Sequence, residues 1–234
     1  MTGAQFELFD RRRHRRPSPF DLHALSRPAG TFTGDFYYTH RYEDRIWFAL
    51  GDVAGKGIDA AVLMAMAQEE LEHRIDACAR TRCDPAATML RLHNVLRPVV
   101  PRNRFLTVVI GHLCDDGALT LANAGHCPPL IVRRDGAIER IGPTGPVAAL
   151  LPSASWSSWS TKLEAGDALL LYSDGVIESR SPDDHELGVD AVAALLAANR
   201  DRSARDIAEA TLAAVDAHAA GRREDDVTIL VIRR

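Results

Sequence analysis

The sequence predicts an α+β domain in which sheets are covered by helices. Three observations predict it. Strand-like and helix-like segments come in blocks, ordered strands, helix pair, strands, helices, strand, and do not alternate one by one. The strand-like runs are short, β-branched and separated by Gly or Asp turns. The helix-like stretches are Ala- and Leu-rich and free of internal Gly and Pro.

Taken in order, residues 1–20 form a basic tail, with "RRRHRR" at 11–16 ended by Pro17 and Pro19. The tail is expected to be disordered and solvated; a weak contact with an anionic surface is the alternative reading. Residues 21–234 form the domain. Residues 31–40, rich in Thr, Phe and Tyr, then "RYED" and "RIWFAL", read as a β-hairpin centred near residues 42–43. That hairpin brings Asp35 and Asp52 to the same end of two paired strands. Residues 58–79 read as a helix. Asp84 and Pro85 read as the N-cap and first-turn proline of a second helix that folds back on the first. "RFLTVVIGHL", "GALTLANAG", "PLIVRRDG" and "AIERIG" read as strands, and "GPTGPVAALLPSAS" as a loop. "DALLLYSDG" is a strand with Asp174 at its exit. Two helices follow, the second capped by Ser203, and "DDVTILVIRR" closes the domain as a strand opened by two acids.

Composition narrows the function classes. With 234 residues, 46% hydrophobic and 26% charged, the chain can bury a sizeable core. Its formal net charge of -4 suggests no nucleic-acid partner. No apolar run approaches the roughly 18 residues of a membrane span, and no apolar segment follows the N-terminal charges as in a secretory signal. No CxxC pair occurs among the four cysteines, at 78, 83, 114 and 127. They are read as reduced thiols in a cytoplasmic protein.

Four acids sit at strand ends beside Gly or another acid: Asp35 in "TGDFY", Asp52 in "LGDVAG", Asp174 in "YSDGV" and Asp225 in "EDDVT". Any one of them suits a turn. Four in the same setting, two of them joined by one hairpin, point to a carboxylate cluster, which repels itself unless cations neutralise it. All-oxygen ligation suits Mg²⁺ or Mn²⁺.

"GDF" at 34–36, "GDVAGKGIDAAVLMA" at 51–65, "NAGHCPPLI" at 123–131, "YSDGVIES" at 172–179 and "DDVTILVIR" at 225–233 occur in this order. Together they resemble the metal-dependent PPM (type-2C) protein phosphatases, in the bacterial SpoIIE-like branch, over about residues 22–234. The resemblance implies an αββα sandwich of two mainly antiparallel sheets flanked by helix pairs. It implies hydrolysis of phosphoserine or phosphothreonine on a protein with two Mn²⁺ or Mg²⁺ ions, by in-line attack of a metal-bridging water. By motif, Asp52 would bridge both metals, with the Val53 carbonyl and Asp35 serving the first. Asp174 and Asp225 would hold the second, and Asp226 would orient its neighbour. The branch implies a phosphorylated anti-anti-sigma (STAS) protein as substrate. The helix pair at 58–98, attached to the Asp52 loop, is the expected seat of a regulatory partner. Two rivals remain: a non-catalytic phosphoprotein-binding module with this fold, and an esterase for small phosphate esters.

Residues 51–57, "GDVAGKG", superficially suggest a nucleotide-phosphate loop. Only three residues separate Gly51 from Gly55, and Gly57 stands where a P-loop needs Ser or Thr. A metal-binding turn entering a helix fits better. Lys56 is read either as a substrate-phosphate contact or as a solvated loop lysine. His126 is read as a turn histidine shaping its loop, with general acid as the alternative. Cys127 and Ser173 lack the surroundings of a nucleophile. Trp156 and Trp159 are read as core or loop anchors.

Overall fold

A computed structural model describes residues 18–31, 33–55, 57–79, 83–101 and 103–234. The basic run at 11–16 and Lys56 lie outside the described residues. In chain order the elements are β1 (Asp21–Arg27), β2 (Asp35–Tyr42), β3 (Arg45–Val53), α1 (Ile58–Ala79), α2 (Pro85–Leu96), β4 (Leu106–Cys114), β5 (Ala118–Ala124), β6 (Leu130–Val132), β7 (Ile138–Arg140), β8 (Trp159–Lys162), β9 (Ala168–Tyr172), α3 (Asp174–Ile177), α4 (Gly188–Ala198), α5 (Ala204–His218) and β10 (Val227–Arg233).

Two five-stranded sheets form, ordered β1-β10-β9-β6-β7 and β2-β3-β4-β5-β8. Every strand pairing among the described residues is antiparallel. Strand periodicity divides the core into three layers. On β3, Trp47, Ala49 and Val53 pack with Leu63, Leu71 and Met89 of α1 and α2. The alternate residues Ile46, Phe48 and Leu50 meet Leu169, Leu171, Leu230 and Ile232 of the other sheet. The outer face of that second sheet, including Leu170, Tyr172 and Ile229, packs under Leu196 of α4 and Ile207 of α5. Strands buried on both faces explain why "RIWFAL" and "TILVI" read as continuous apolar runs. Each fully buried side chain of this kind contributes about 1.5–3 kcal/mol. The result is the αββα sandwich.

Local signals explain the helix starts. Asp84 accepts from the Ala87 N–H at 3.2 Å, with Pro85 in the first turn. Ser203 accepts from the Asp206 N–H at 3.1 Å. The hairpin loop is the two residues Glu43 and Asp44, so Tyr42 faces Arg45 and Asp35 faces Asp52 itself. Two strands lie outside the sequence reading. β1 pairs along its length with β10, and β8 is a four-residue edge beside β5. Phe20, just before β1, is buried between the sheets. Trp156 packs against the helix-side core and donates from Nε1 to the Pro146 carbonyl at 2.8 Å, while Trp159 packs between the sheets. Cys127 is a free thiol.

Candidate active site

The site lies where the hydrophobic filling between the sheets ends. On β3 the inter-sheet face runs Ile46, Phe48, Leu50, so strand alternation makes Asp52 its next member. Asp35 lies directly opposite on β2. On β10 the same face runs back from Ile232 and Leu230 to Thr228 and Asp226. β9 neighbours β10, so Asp174, which opens α3 after β9, and Asp225, just before β10, emerge at one end of adjacent strands. The four sequence-predicted acids are thus delivered to the same end of the sandwich, two from each sheet.

Asp35 is buried, and its Oδ2 has no hydrogen-bond partner. Burial pushes its carboxyl up to about 8; the Ser173 and Thr228 hydroxyls oppose this, and Asp52 and Asp226 add to it. Burial likewise pushes Asp52 up to about 7, reinforced by Asp174, Asp225 and Asp226 and opposed by a Val53 backbone hydrogen bond. None of the leading influences on either group is a basic side chain. Among the described residues, no three acid, imidazole or thiol groups are already drawn to a shared ligating point. The donors are nevertheless all oxygen, mutually repelling, and include one buried oxygen without a partner. That set fits a hard divalent cation.

Close approach explains the neighbouring glycines. A Cβ on Gly34 would lie 2.6 Å from Asp52 Oδ1 and 3.1 Å from the Val53 carbonyl oxygen. A Cβ on Gly175 would lie 2.0 Å from the Asp226 carbonyl oxygen, so glycine lets α3 rest against the start of β10. Gly55 and Gly57 hold φ of 108° and 89°, conformations that favour glycine. Between β3 and α1, Arg104 donates to the Ala54 carbonyl at 2.9 Å and places its other nitrogen 3.8 Å from Asp59.

Asp226 does more than the sequence indicated. Its two oxygens accept from the Ala29 N–H at 2.7 Å and the Gly34 N–H at 3.1 Å. It therefore ties the β1–β2 connection, and with it Asp35, to the second sheet. Toward Asp225 it acts through its main chain: the Asp226 N–H donates to the Asp225 carboxylate at 2.9 Å. Thr228 and Thr107 also escaped the sequence reading, which weighed Ser173 only as a nucleophile and took Asn123 only as part of a motif. Ser173 accepts from the Thr228 N–H at 2.9 Å and donates to the Asp226 carbonyl at 3.2 Å. Strand parity at β10 was the available signal, since Asp226 and Thr228 share the face of Leu230.

His126 is buried and built into its loop. Its N–H donates to Asn123 Oδ1 at 2.8 Å, and its Nδ1 is 2.9 Å from the hydroxyl of Thr107. Thr107 is the β4 partner of Asp52. Burial pushes His126 down to about 4, so the neutral ring supports the strand beside Asp52. Burial, then Asp174, Glu178 and Asp35, push the Cys127 thiol up to about 12. It stays protonated at neutral pH and is a poor nucleophile.

The family model described as Stage II sporulation protein E (SpoIIE) matches residues 42–234. The chain belongs to the SpoIIE family. This SpoIIE-family chain is 30% identical over 163 residues to the phosphoserine phosphatase RsbU of Bacillus subtilis (strain 168), covering 69% of this chain and 48% of RsbU. It therefore spans about half the length of that relative. The structure of the RsbU and RsbW domains of Rv1364c from Mycobacterium tuberculosis superposes with a TM-score of 0.79 at 26% identity, over 92% of this chain and 61% of that one. The SiaA-PP2C domain of Pseudomonas aeruginosa gives a TM-score of 0.81 at 20% identity, over 91% and 85% of the two chains. The last likeness establishes the shared fold of this SpoIIE-family chain with PP2C domains. Among the described residues no helix is long and apolar enough to cross a membrane.

Proposed function

We propose that this chain is a metal-dependent protein serine/threonine phosphatase, with residues 21–234 as its catalytic domain. One observation carries the reading: Asp35 and Asp52 face each other across a hairpin, raised by burial and by acids from both sheets, with one Asp35 oxygen buried and unpartnered. Asp35, Asp52, Asp174, Asp225 and the Val53 carbonyl would hold two Mn²⁺ or Mg²⁺ ions. Bound there, the ions supply an activated water and neutralise the attacked phosphoryl group.

The protein's own part is positioning. Asp226 holds the β1–β2 connection so that Asp35 stays opposite Asp52. The first N–H groups of α1 leave the Gly55–Gly57 turn beside Asp52 and offer positive dipole ends to an anionic ester. A cleft beside Asp225 is lined by Glu178, Glu224, Arg180, Arg222 and Arg223. Arg180 pairs with Asp184 and Glu186, and Arg223 with Asp216, so these guanidinium groups would meet the protein that carries the phosphate only by exchanging those partners. We assign this protein as a phosphorylated STAS-domain anti-anti-sigma factor in the cytoplasm. The likeness to RsbU and to the RsbU and RsbW domains of Rv1364c supports that reading. A partner pressing on α1 and α2 would tune the Asp52 turn, to which α1 is directly joined.

The test is hydrolysis of an aryl phosphate and of a phosphoserine STAS-domain protein, with Mn²⁺ or Mg²⁺, by the wild type and by Asp52→Asn. The expected result is divalent-dependent release of phosphate from both, lost in the variant. Capture of the phosphoprotein without turnover at any metal concentration would make the chain a binding module. Activity surviving in Asp52→Asn would move the site elsewhere, and turnover of the aryl phosphate alone would remove the protein substrate.

A further inference from the structure

α1 turns an apolar row to solvent. Ile58, Val62 and Met66, four residues apart, are 63%, 53% and 37% exposed. On its other side Ala60, Leu63, Ala67 and Leu71 are buried against the sheet. Residues four apart share one helix face. Continued toward the C-terminal end, the exposed face becomes charged with Glu69, His73 and Asp76. It is therefore bipartite, apolar near the Asp52 turn and acidic farther along.

Residues 1–17 have the complementary composition in matching order. Phe6, Leu8 and Phe9 are followed by Arg11, Arg12, Arg13, Arg15 and Arg16. The described chain begins at Ser18, just before β1, whose Asp21 pairs with Arg233 at the end of the sheet away from Asp225. β1 and β2 are edge strands of the two sheets, and Leu22, Ala24 and Tyr37 pack into the same inter-sheet layer. α1 runs over β2 with its acidic half toward that same far end: the Tyr38 hydroxyl lies 3.5 Å from Asp76, and His40 lies 3.9 Å from it. A chain leaving Ser18 thus meets the acidic half of α1 first and the apolar half second. The spacing agrees too. The middle of the arginine run and the middle of the Phe6–Phe9 segment are separated by about 20 Å when extended. The centres of the acidic and apolar halves of α1 are separated by about 16 Å.

The geometry points to the outer face of α1 as the docking site for this chain's own residues 6–16. The arginines lie over Glu69 and Asp76, and Phe9, Leu8 and Phe6 cover Met66, Val62 and Ile58 in that order. Charge sets the direction and apolar burial supplies the hold. This contact is independent of the phosphatase reading, and its test does not use activity.

The test places the photo-crosslinking residue benzoylphenylalanine at position 62 of the full chain, and separately at position 66. A third chain carries it at Leu90, an exposed apolar position on α2, as the control. The expected product joins position 62 or 66 to residues 5–16 of the same chain. Its yield is independent of protein concentration and falls severalfold in 1 M salt, where the Debye length is about 3 Å. It falls likewise when the five arginines of 11–16 are changed to Glu. The Leu90 probe gives no such product. A crosslink whose yield grows with concentration would assign the face to a second copy. One that forms only with added STAS-domain phosphoprotein would assign it to the substrate. No crosslink at either position, with the variants folded by circular dichroism, would leave the face bare. Each of these three results overturns the proposal.

Discussion

Gly34 is held against Asp52 with no room for a side chain, its virtual Cβ 2.6 Å from Oδ1. The main chain gives no relief, because the Val53 N–H donates to the Gly34 carbonyl at 3.3 Å and the Gly34 N–H is taken by Asp226. Gly34→Ala is therefore expected to displace the Asp52 carboxylate rather than the backbone. Overpacking of this kind costs about 1–3 kcal/mol. Divalent-ion affinity, read by titration calorimetry, should fall by more than the loss of thermal stability alone would suggest. Unchanged Mn²⁺ affinity would show that Asp52 is free to move.

Asp35 and Asp52 make the metal-free protein sensitive to pH. Both have folded values raised above the ordinary 3.8, to about 8 and about 7. The folded state therefore binds these protons more tightly than the unfolded state. Their contribution to stability is complete below about pH 4 and is lost as pH rises through 7 to 8. Without metal, the midpoint of thermal unfolding should fall between pH 5 and 8.5, and Asp52→Asn should fall less steeply. Mn²⁺ should raise the wild-type midpoint more at pH 8 than at pH 5, and its binding at pH 6.5 should release protons. Parallel pH slopes for wild type and Asp52→Asn would contradict this.

The adjacent acids Asp225 and Asp226 should separate cleanly on substitution. Asp226 accepts two main-chain N–H bonds from the β1–β2 connection, and a hydrogen bond to a charged group is worth about 1.5–3 kcal/mol. Asp226→Asn should lower metal-free stability by an amount of that order, because an amide nitrogen would face a donor. Asp225→Asn, which keeps an oxygen for the Asp226 N–H, should lower metal-free stability less than Asp226→Asn while abolishing metal-induced stabilisation. Equal effects of the two changes in calorimetry would mean that their roles are shared.

Neutral His126 should leave no imprint on catalysis near neutral pH. Burial depresses it to about 4, so it favours the fold above pH 6.5, an advantage lost as pH falls toward 4. His126→Gln should cost about 1–3 kcal/mol through the lost contact with Thr107. The shape of the kcat profile from pH 5.5 to 8.5 should stay the same. A limb that disappears in the variant would make His126 the general acid.

Much of the architecture was legible because its signals are local. The β2–β3 pairing, the capped start of α2, the uninterrupted α1 and the strand ends carrying Asp174 and Asp225 follow from turn residues, caps and periodicity. β1 was not legible, because "DLHALSR" has no β-branched or aromatic residue and becomes a strand only through its pairing with β10. β8 is short and half exposed at a sheet edge. The clamp made by Asp226 was hidden for a related reason: the amides it holds, Ala29 and Gly34, are nearly two hundred positions away in sequence. A separation of 55 positions likewise concealed the Ser173–Thr228 bonds beneath Asp35.

The central placement of β10 bears on synthesis. It lies between β1 and β9, and its leading acids complete a cluster begun at Asp35. A nascent chain can close the β2–β3 hairpin early, but β1 has no strand to pair with until Val227–Arg233 has left the ribosome. Until then Asp35 and Asp52 lack the Asp226 clamp and the acids beside β10 that the proposed ion site requires. For the proposed phosphatase, hydrolysis would wait until translation has passed β10, and one proteolytic cut that removes Asp225 to Arg233 would abolish it.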